Sequence, residues 1–184
     1  MQRFTAACAQ FAITPMDAAA NAAKAVAWTR RAVDETGAQL VVLPETVTTG
    51  FVPDVGPDGL WDAVDALPGR FSEPMQQIAQ GLGVYVVFPS YERGPERGIV
   101  YNSAALIGPN GDVLGVYRKT HLFPSERLVA RSGDRLQPEF AAERSTTSCD
   151  TPACGWSTPG NGPARDPHTA RVHRPVDLLR RRFP

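Results

Sequence analysis

Two charged residues in this sequence follow apolar runs of strand length. Glu45 comes directly after LVVLP, and Lys119 comes directly after VLGVYR. Strand ends on a rigid sheet are where α/β proteins build functional sites, so a carboxylate and an ammonium at two such ends could form a charged pair with acid–base chemistry. Either residue taken alone could equally be an ordinary loop charge at the end of a strand.

The segments around these residues alternate between strand and helix patterns. Apolar residues recur at helical spacing over 17–36 and 73–81, and Gly37 stands where a helix C-terminal cap belongs. The Asn110–Gly111 pair is a strong hairpin signal between two apolar runs. Apolar runs of strand length occupy residues 4–11, 39–43, 84–88, 100–107 and 113–117. Strand, helix, strand, helix and several further strands predict an α/β layered domain.

The composition of the chain changes near Leu128. Residues 128–184 contain nine arginines, seven of the 17 prolines and no lysine. Leu, Ile, Val and Phe are scarce there, which is typical of segments that cannot build a core. We therefore expect a core-forming domain over residues 1–127 and a Pro/Arg-rich tail over residues 128–184, either disordered or read out of frame.

Whole-chain averages indicate a broad class of protein. The 19 basic and 19 acidic residues cancel, which gives no reason to expect a nucleic-acid or membrane partner. The sequence shows no apolar run of membrane-spanning length and no export signal at its start, and its three cysteines are an odd number. These features favour a cytoplasmic globular protein without a disulfide framework.

Longer sequence motifs narrow the class of protein further. LVVLPET with a following GF, and later YNSAALIGPNGDVLGVYRKTHLFPSER, closely resemble the nitrilase superfamily of carbon–nitrogen hydrolases over about residues 4–127. The resemblance implies an α-β-β-α sandwich, here incomplete at the C-terminus. It also implies hydrolysis of small amide, nitrile or carbamoyl compounds by a Glu-Lys-Cys triad, with no metal or organic cofactor. Members of the family usually form homo-oligomers.

The same resemblance suggests roles for individual residues. Glu45 corresponds to the general base and Lys119 to the triad lysine, with Glu126 as a supporting second carboxylate. A thiol needs a neighbouring base to become a nucleophile, and a fixed ammonium can stabilise an oxyanion. We expect Asn102 and His121 to be structural. Residues 51–69, which include Trp61, form a candidate substrate-side loop or a plain surface connection.

The nucleophile of the triad is missing from this sequence. The family places its cysteine in a CYD…FPE-like word after the lysine, and no such word occurs here. Cys8 lies upstream of Glu45 within an apolar run, which predicts a small buried core residue. Cys149 and Cys154 follow the lysine, but no apolar strand precedes either of them. We therefore expect this chain to be inactive as an enzyme.

The last nine residues, VDLLRRRFP, offer an explanation for the missing nucleophile. One permissible coding of residues 176–184 spells W-I-C-Y-D-G-D-F-P when it is read from its second base. The first base of each shifted codon is the second base of the residue that is present, so it is not a free choice. We infer that this segment is an out-of-frame reading, with the frame changing between Arg127 and Val176.

Two other interpretations stay open. Cys149, Cys154, His168 and His173 have the spacing C-x4-C-x13-H-x4-H, which is close to a zinc finger, although the intervening segment is rich in helix breakers. One bound zinc ion per chain would support this interpretation. The alternative is a non-catalytic relative that kept the scaffold, lost the nucleophile and serves as an interaction partner, although Glu45 and Lys119 argue against long disuse because an idle buried charge pair is costly to keep.

The frameshift hypothesis makes a prediction about the gene. Sequencing codons 127–184 and about a hundred bases beyond them should reveal an inserted or missing base. The neighbouring frame should encode CYDGDFP and then remain open. A confirmed frame whose neighbour lacks this word would contradict the hypothesis and would favour the zinc-binding or scaffold interpretation.

Overall fold

The computed structural model describes residues 4–134 and 139–140. Within them, three α-helices accompany the strands of one sheet, and none of these helices is long and apolar enough to cross a membrane. The helices are α1 (Ala18–Thr36), α2 (Gly56–Ala63) and α3 (Glu73–Leu82). The strands are β1 (Ala6–Cys8), β2 (Leu40–Val42), β3 (Tyr85–Arg93), β4 (Val100–Ile107), β5 (Val113–Arg118) and β6 (Glu139–Phe140). Residues 1–3, 135–138 and 141–184 lie outside the described residues.

The sheet is mixed, and its strands lie side by side in chain order. Strands β1, β2 and β3 are parallel, while β3, β4, β5 and β6 pair in antiparallel fashion. The β4–β5 hairpin turns at Gly111, whose φ of 84° is a conformation that favours glycine. This architecture confirms the α/β class, and the described residues contribute one sheet and one set of helices to the expected sandwich.

Helices α1 and α3 cover one face of the sheet. Helix α1 begins after Asp17, whose carboxylate accepts a hydrogen bond from the Ala20 N–H, and it ends at Gly37 in the left-handed conformation. The core between these helices and the sheet includes Ala25, Val41, Ile78, Val86 and Phe88. Side chains alternate between the two faces of a strand, so the intervening residues of β2 and β3 point to the opposite face.

A second apolar cluster lies on that opposite face, beside the central strands β3 and β4. Its buried members are Leu60, Val64, Tyr91, Val100, Leu122, Val129 and Ala130. The last two lie beyond Arg127, so the packed structure continues past the predicted boundary between domain and tail. The composition of residues 128–184 suggested a core-poor tail because its average hides this short buried segment.

Two expectations, one about Cys8 and one about residues 51–69, need correction. Cys8 is exposed, because its neighbour Ala7 pairs with the buried Val41 and strand alternation turns Cys8 to the face away from α1 and α3. Residues 51–69 are not simply a loop, since they contain α2. Trp61 on this helix donates a hydrogen bond to the carbonyl of Gly94 (3.3 Å) and lies under the Arg93 guanidinium.

Asn21 joins the first helix to the segment that carries Glu45. Its buried amide donates to the carbonyls of Thr14 (2.6 Å) and Thr48 (2.8 Å), and its oxygen accepts from the Thr14 N–H (2.9 Å). These three bonds satisfy loop groups that have no strand partner. Removing the amide would leave the buried Thr48 carbonyl without this donor, while the Thr14 carbonyl would keep the bond from the Asp17 N–H (3.3 Å).

We therefore predict that Asn21→Ala lowers the free energy of unfolding by about 2–3 kcal/mol. Urea denaturation followed by circular dichroism would measure the change. The control is Asp34→Asn on the exposed side of the same helix, which should change stability by less than about 0.5 kcal/mol. Equal effects of the two substitutions would show that Asn21 does not hold the two loops together.

Candidate active site

Glu45 lies in a tight turn after β2. The chain beyond β2 continues beside β3, with the Val47 N–H bonded to the carbonyl of Pro89 at 2.9 Å. Thr46 takes a left-handed φ of 49°, and the Gly50 N–H closes the turn on the Thr46 carbonyl at 2.8 Å. A β-branched residue in this conformation is strained, so the surrounding contacts must hold it. The Glu45 side chain, 62% exposed, projects from this fixed turn.

Lys119 comes immediately after β5. Its N–H donates to the carbonyl of Asn102 (2.8 Å), which continues the β4–β5 ladder by one residue. Its own carbonyl accepts from the Gly133 N–H (3.0 Å). A side chain at position 133 would collide with the Arg118 backbone, so only glycine allows this close return of the chain. The Lys119 backbone is therefore held from two directions.

Glu126 is the buried member of the site. It begins a 3-10 turn, Glu126–Leu128, and its side chain is only 2% exposed. The Phe123 N–H donates to Oε2 at 2.8 Å. A buried carboxylate is costly unless it is hydrogen-bonded and paired with a cation, and the neighbouring residues provide both.

The structure brings all three predicted site residues together. Lys119 Nζ lies 2.9 Å from Oε1 of Glu45 and 2.8 Å from Oε2 of Glu126. The Asn102 amide joins the same two carboxylates, donating to Oε1 of Glu45 at 2.8 Å and to Oε1 of Glu126 at 2.6 Å. One ammonium and one amide thus connect two carboxylates that come from different parts of the chain.

The electrostatics keep the buried pair charged. Burial of the Lys119 ammonium by itself lowers its pKa, but the bonds to Glu126 and Glu45 outweigh this and raise the pKa above the ordinary value. Burial likewise opposes ionisation of Glu126, but the bonds from Lys119, Asn102 and Phe123 hold its pKa below the usual range. At neutral pH the cluster therefore contains an ammonium and at least one fixed carboxylate.

Asn102 was expected to be structural, and its contacts place it inside the cluster instead. In a hairpin that turns at Asn110–Gly111, residues at equal distances before and after the turn lie opposite each other, which sets Asn102 opposite Lys119. The sequence therefore contained a signal for Asn102. Tyr91, the direct partner of Asn102 on β3, was also missed because the predicted strand, 84–88, ended before it, whereas β3 continues to Arg93. His121 is exposed and bonds through Nδ1 to the Thr120 hydroxyl at 3.1 Å, the local bond expected for it.

Among the described residues, no cysteine bonds to this cluster. Cys8 lies on β1, four strands away from β5 at about 4.8 Å per strand. The candidate zinc ligands Cys149, Cys154, His168 and His173 lie outside the described residues. Within the described part of the chain, no group of three or more His, Cys, Asp or Glu side chains could hold a metal ion.

Comparison with known proteins identifies the family. The carbon-nitrogen hydrolase family model matches residues 5–155, and the chain belongs to this family. A nitrilase of Pyrococcus abyssi is 36% identical over 99 residues, which cover 53% of this chain and 36% of the relative. The omega-amidase NIT2-B of Xenopus laevis is 29% identical over 157 residues, which cover 84% of this chain and 53% of the relative.

A solved structure agrees with these matches. The amidase from Nesterenkonia sp. superimposes with a TM-score of 0.54 at 26% sequence identity, over 70% of this chain and 47% of the amidase. The chain thus spans about a third to a half of the length of these similar proteins.

Loss of the ammonium should destabilise the chain. Lys119→Met keeps much of the aliphatic side chain but leaves the buried Glu126 without its cation, which should lower the free energy of unfolding by about 3 kcal/mol. Urea denaturation would measure the loss. The matched control is Lys24→Met, a half-buried lysine on α1 whose ammonium donates to the Ala12 carbonyl and pairs with no described carboxylate. If both variants lose the same small amount, Glu126 does not depend on Lys119.

The pKa of Glu126 also predicts a pH dependence. Because folding lowers this pKa, the unfolded chain takes up the proton first as pH falls. The contribution of Glu126 is fully present above the unfolded value of about 4.3 and is lost as pH falls through the lowered folded value. Denaturation midpoints measured between pH 3 and 7 should therefore fall less steeply for Glu126→Gln than for the parent chain. Parallel curves would contradict the assignment.

Proposed function

We propose that this chain carries the base and the lysine of a hydrolase that cleaves non-peptide carbon–nitrogen bonds in small amide, nitrile or carbamoyl compounds. The observation that supports this most directly is Lys119 Nζ bonded between Glu45 and Glu126, at 2.9 Å and 2.8 Å. Such an ammonium is held in place and remains charged. It can therefore stabilise an oxyanion without reorganising when charge develops.

The two carboxylates would divide the work between them. Glu126 is buried, accepts three hydrogen-bond donors and has a lowered pKa, so it would remain the permanent counter-ion of Lys119. Glu45 is largely exposed and could reach a substrate or nucleophile, so it would be the proton acceptor. When Glu45 takes a proton, Lys119 keeps Glu126 as a partner and stays charged.

In the proposed reaction with an amide, Glu45 removes the thiol proton of a cysteine while the sulfur attacks the carbonyl carbon. Lys119 donates a hydrogen bond to the oxyanion of the tetrahedral intermediate. The carbon–nitrogen bond then breaks, and the departing nitrogen receives the proton from Glu45. Glu45 next removes a proton from water, whose oxygen attacks the thioester. The acid is released, and the proton returns to the thiolate.

The nucleophile of this scheme is the cysteine that the frameshift hypothesis places in the neighbouring frame of residues 176–184. In the Nesterenkonia amidase, a mutant structure shows covalent addition of the acetamide moiety of fluoroacetamide at the active-site cysteine, which supports a thiol nucleophile in this family. Another mutant of that amidase was solved in complex with butyramide, a small amide that suits a first assay. The 184-residue chain alone would not turn over such amides.

The test compares the 184-residue chain with the longer protein made from a gene whose reading frame has been restored. Ammonia release from butyramide should be absent for the former and present for the latter. Glu45→Gln in the restored protein should lower kcat/KM by about a thousandfold, which is the usual contribution of a general base to the rate. The control is Glu73→Gln, an exposed carboxylate at the start of α3.

Two outcomes would contradict the proposal. Ammonia release by the 184-residue chain would show that it already contains a nucleophile. Full activity of the restored Glu45→Gln variant would show that another group is the base, and the assignment of Glu45 would then be wrong.

A further inference from the structure

Glu92 is a buried carboxylate that the proposed reaction does not use. It lies on β3 and is 5% exposed. Arg118 bonds to it through two nitrogens, with Nε 2.9 Å from Oε2 and Nη2 2.6 Å from Oε1. The Ser103 hydroxyl donates a third hydrogen bond, to Oε2 at 2.6 Å. Hydrogen bonds to an ionised acceptor are short and strong, and the two from Arg118 also fix the orientation of both side chains.

This ion pair spans three strands of the sheet. Arg118 is the last residue of β5 and Glu92 belongs to β3, so the two side chains meet across β4. The outer two of these strands are about 10 Å apart. Ser103 faces Arg118 in the β4–β5 register and donates to Glu92, so it is the β4 residue between the two. Its small side chain leaves room for the two long ones to meet.

The ion pair lies on the face of the sheet opposite to the charged cluster. Successive residues of a strand point to opposite faces, so each residue that forms the ion pair or bonds to it has a sequence neighbour on the cluster face. On β3, β4 and β5 these two-residue steps are Tyr91–Glu92, Asn102–Ser103 and Arg118–Lys119. The same three strands thus carry the cluster on one face and the ion pair on the other. A movement of Arg118 would move Lys119, the next residue along the chain.

Backbone pairing diminishes where β5 ends. Among the described residues, β6 pairs with β5 only at Gly115 and Val116. The β4–β5 ladder ends with the bond from the Lys119 N–H to the Asn102 carbonyl at 2.8 Å. The side chain of Arg118 adds its two bonds to Glu92 at this point, and its guanidinium lies over the Tyr101 ring, 4.3 Å from the ring centre. These contacts hold the strand at the residue that precedes Lys119.

We propose that the Glu92–Arg118 ion pair positions the ammonium of Lys119, which makes Glu92 and Arg118 positioning residues for the charged cluster. Stability alone does not account for the pair, because replacing a buried ion pair by apolar side chains of similar volume is often neutral or stabilising. A planar guanidinium with two parallel bonds instead selects one arrangement of the three strands. This inference rests on the proposed function for the role of Lys119, but its first test requires no turnover.

The first test is a ¹³C NMR titration of the Glu126 carboxyl in the 184-residue chain and in Arg118→Lys. Lysine keeps the positive charge but loses the two parallel bonds, so the end of β5 should shift and carry Lys119 away from Glu126. The titration midpoint of Glu126 should then rise by about half a pH unit or more, because its cation is farther away. A role in stability alone would lower the denaturation midpoint and leave this titration midpoint unchanged.

The matched control is Arg31→Lys on helix α1. Arg31 also bonds to a glutamate, Glu35, at 2.7 Å, and its guanidinium also lies over an aromatic ring, that of Trp28, at 5.0 Å. It belongs to a helix rather than to the strands of the site, so this substitution should leave the Glu126 midpoint unchanged.

Glu92→Gln is a second variant in case Arg118→Lys does not fold. Glutamine keeps the size of the side chain, and Arg118 is 42% exposed, so water can solvate the guanidinium that loses its partner. Loss of a negative charge would by itself lower the Glu126 midpoint. A rise in this variant would therefore report a displaced Lys119.

Kinetics of the protein with the restored reading frame provide a second readout. Arg118→Lys should lower kcat for butyramide by about ten- to a hundredfold with little change in KM, because a displaced ammonium stabilises the oxyanion less well. An unchanged Glu126 midpoint in the folded Arg118→Lys or Glu92→Gln chain would overturn the proposal, whatever the kinetics show. If Glu45→Gln fails to slow hydrolysis while Arg118→Lys still shifts the titration, the proposed function fails and the positioning of Lys119 stands.

Discussion

The buried carboxylate of Glu126 is the constraint on which the rest of this site depends. A carboxylate with 2% exposure remains ionised only if hydrogen bonds and an opposite charge compensate for the lost solvation. Lys119, Asn102 and the Phe123 N–H provide that compensation. The position of the lysine ammonium is therefore a consequence of the need of Glu126 for a cation, and the exposed Glu45 joins a pair that is already fixed.

The mixed sheet explains how distant parts of the chain meet at one edge. Because β3 is parallel to β2 and antiparallel to β4, the end of β2, the start of β4 and the end of β5 lie on the same side. Asn102 and Lys119 are adjacent there through the hairpin register. Glu45 reaches them because the chain after β2 continues beside β3, with Thr48 bonded to Ser90 at 2.6 Å.

Much of the fold could be predicted from the sequence because local signals agreed with tertiary packing. Asp17 and Gly37 cap α1 as their residue types suggest, and the Asn110–Gly111 turn forms the hairpin. Helix α2 was missed because Gly56, Pro57 and Gly59 are poor helix residues. Burial of Leu60 and the contacts of Trp61 stabilise that helix, and neither is visible in local propensity.

The candidate site was predictable only where a charge interrupts an apolar pattern. Glu45 and Lys119 are conspicuous for that reason, and Glu126 needed the family resemblance because nothing local predicts its 3-10 turn. Tyr91 lies beyond the predicted strand 84–88, and Asn102 lies inside a predicted strand, where no local pattern shows what its side chain will meet. Strand register sets the two residues opposite each other, and it places the Asn102 amide within hydrogen-bonding distance of Glu45 and Glu126. A site built on paired strands is therefore best sought by pairing the strands first and then asking which polar side chains the register brings together.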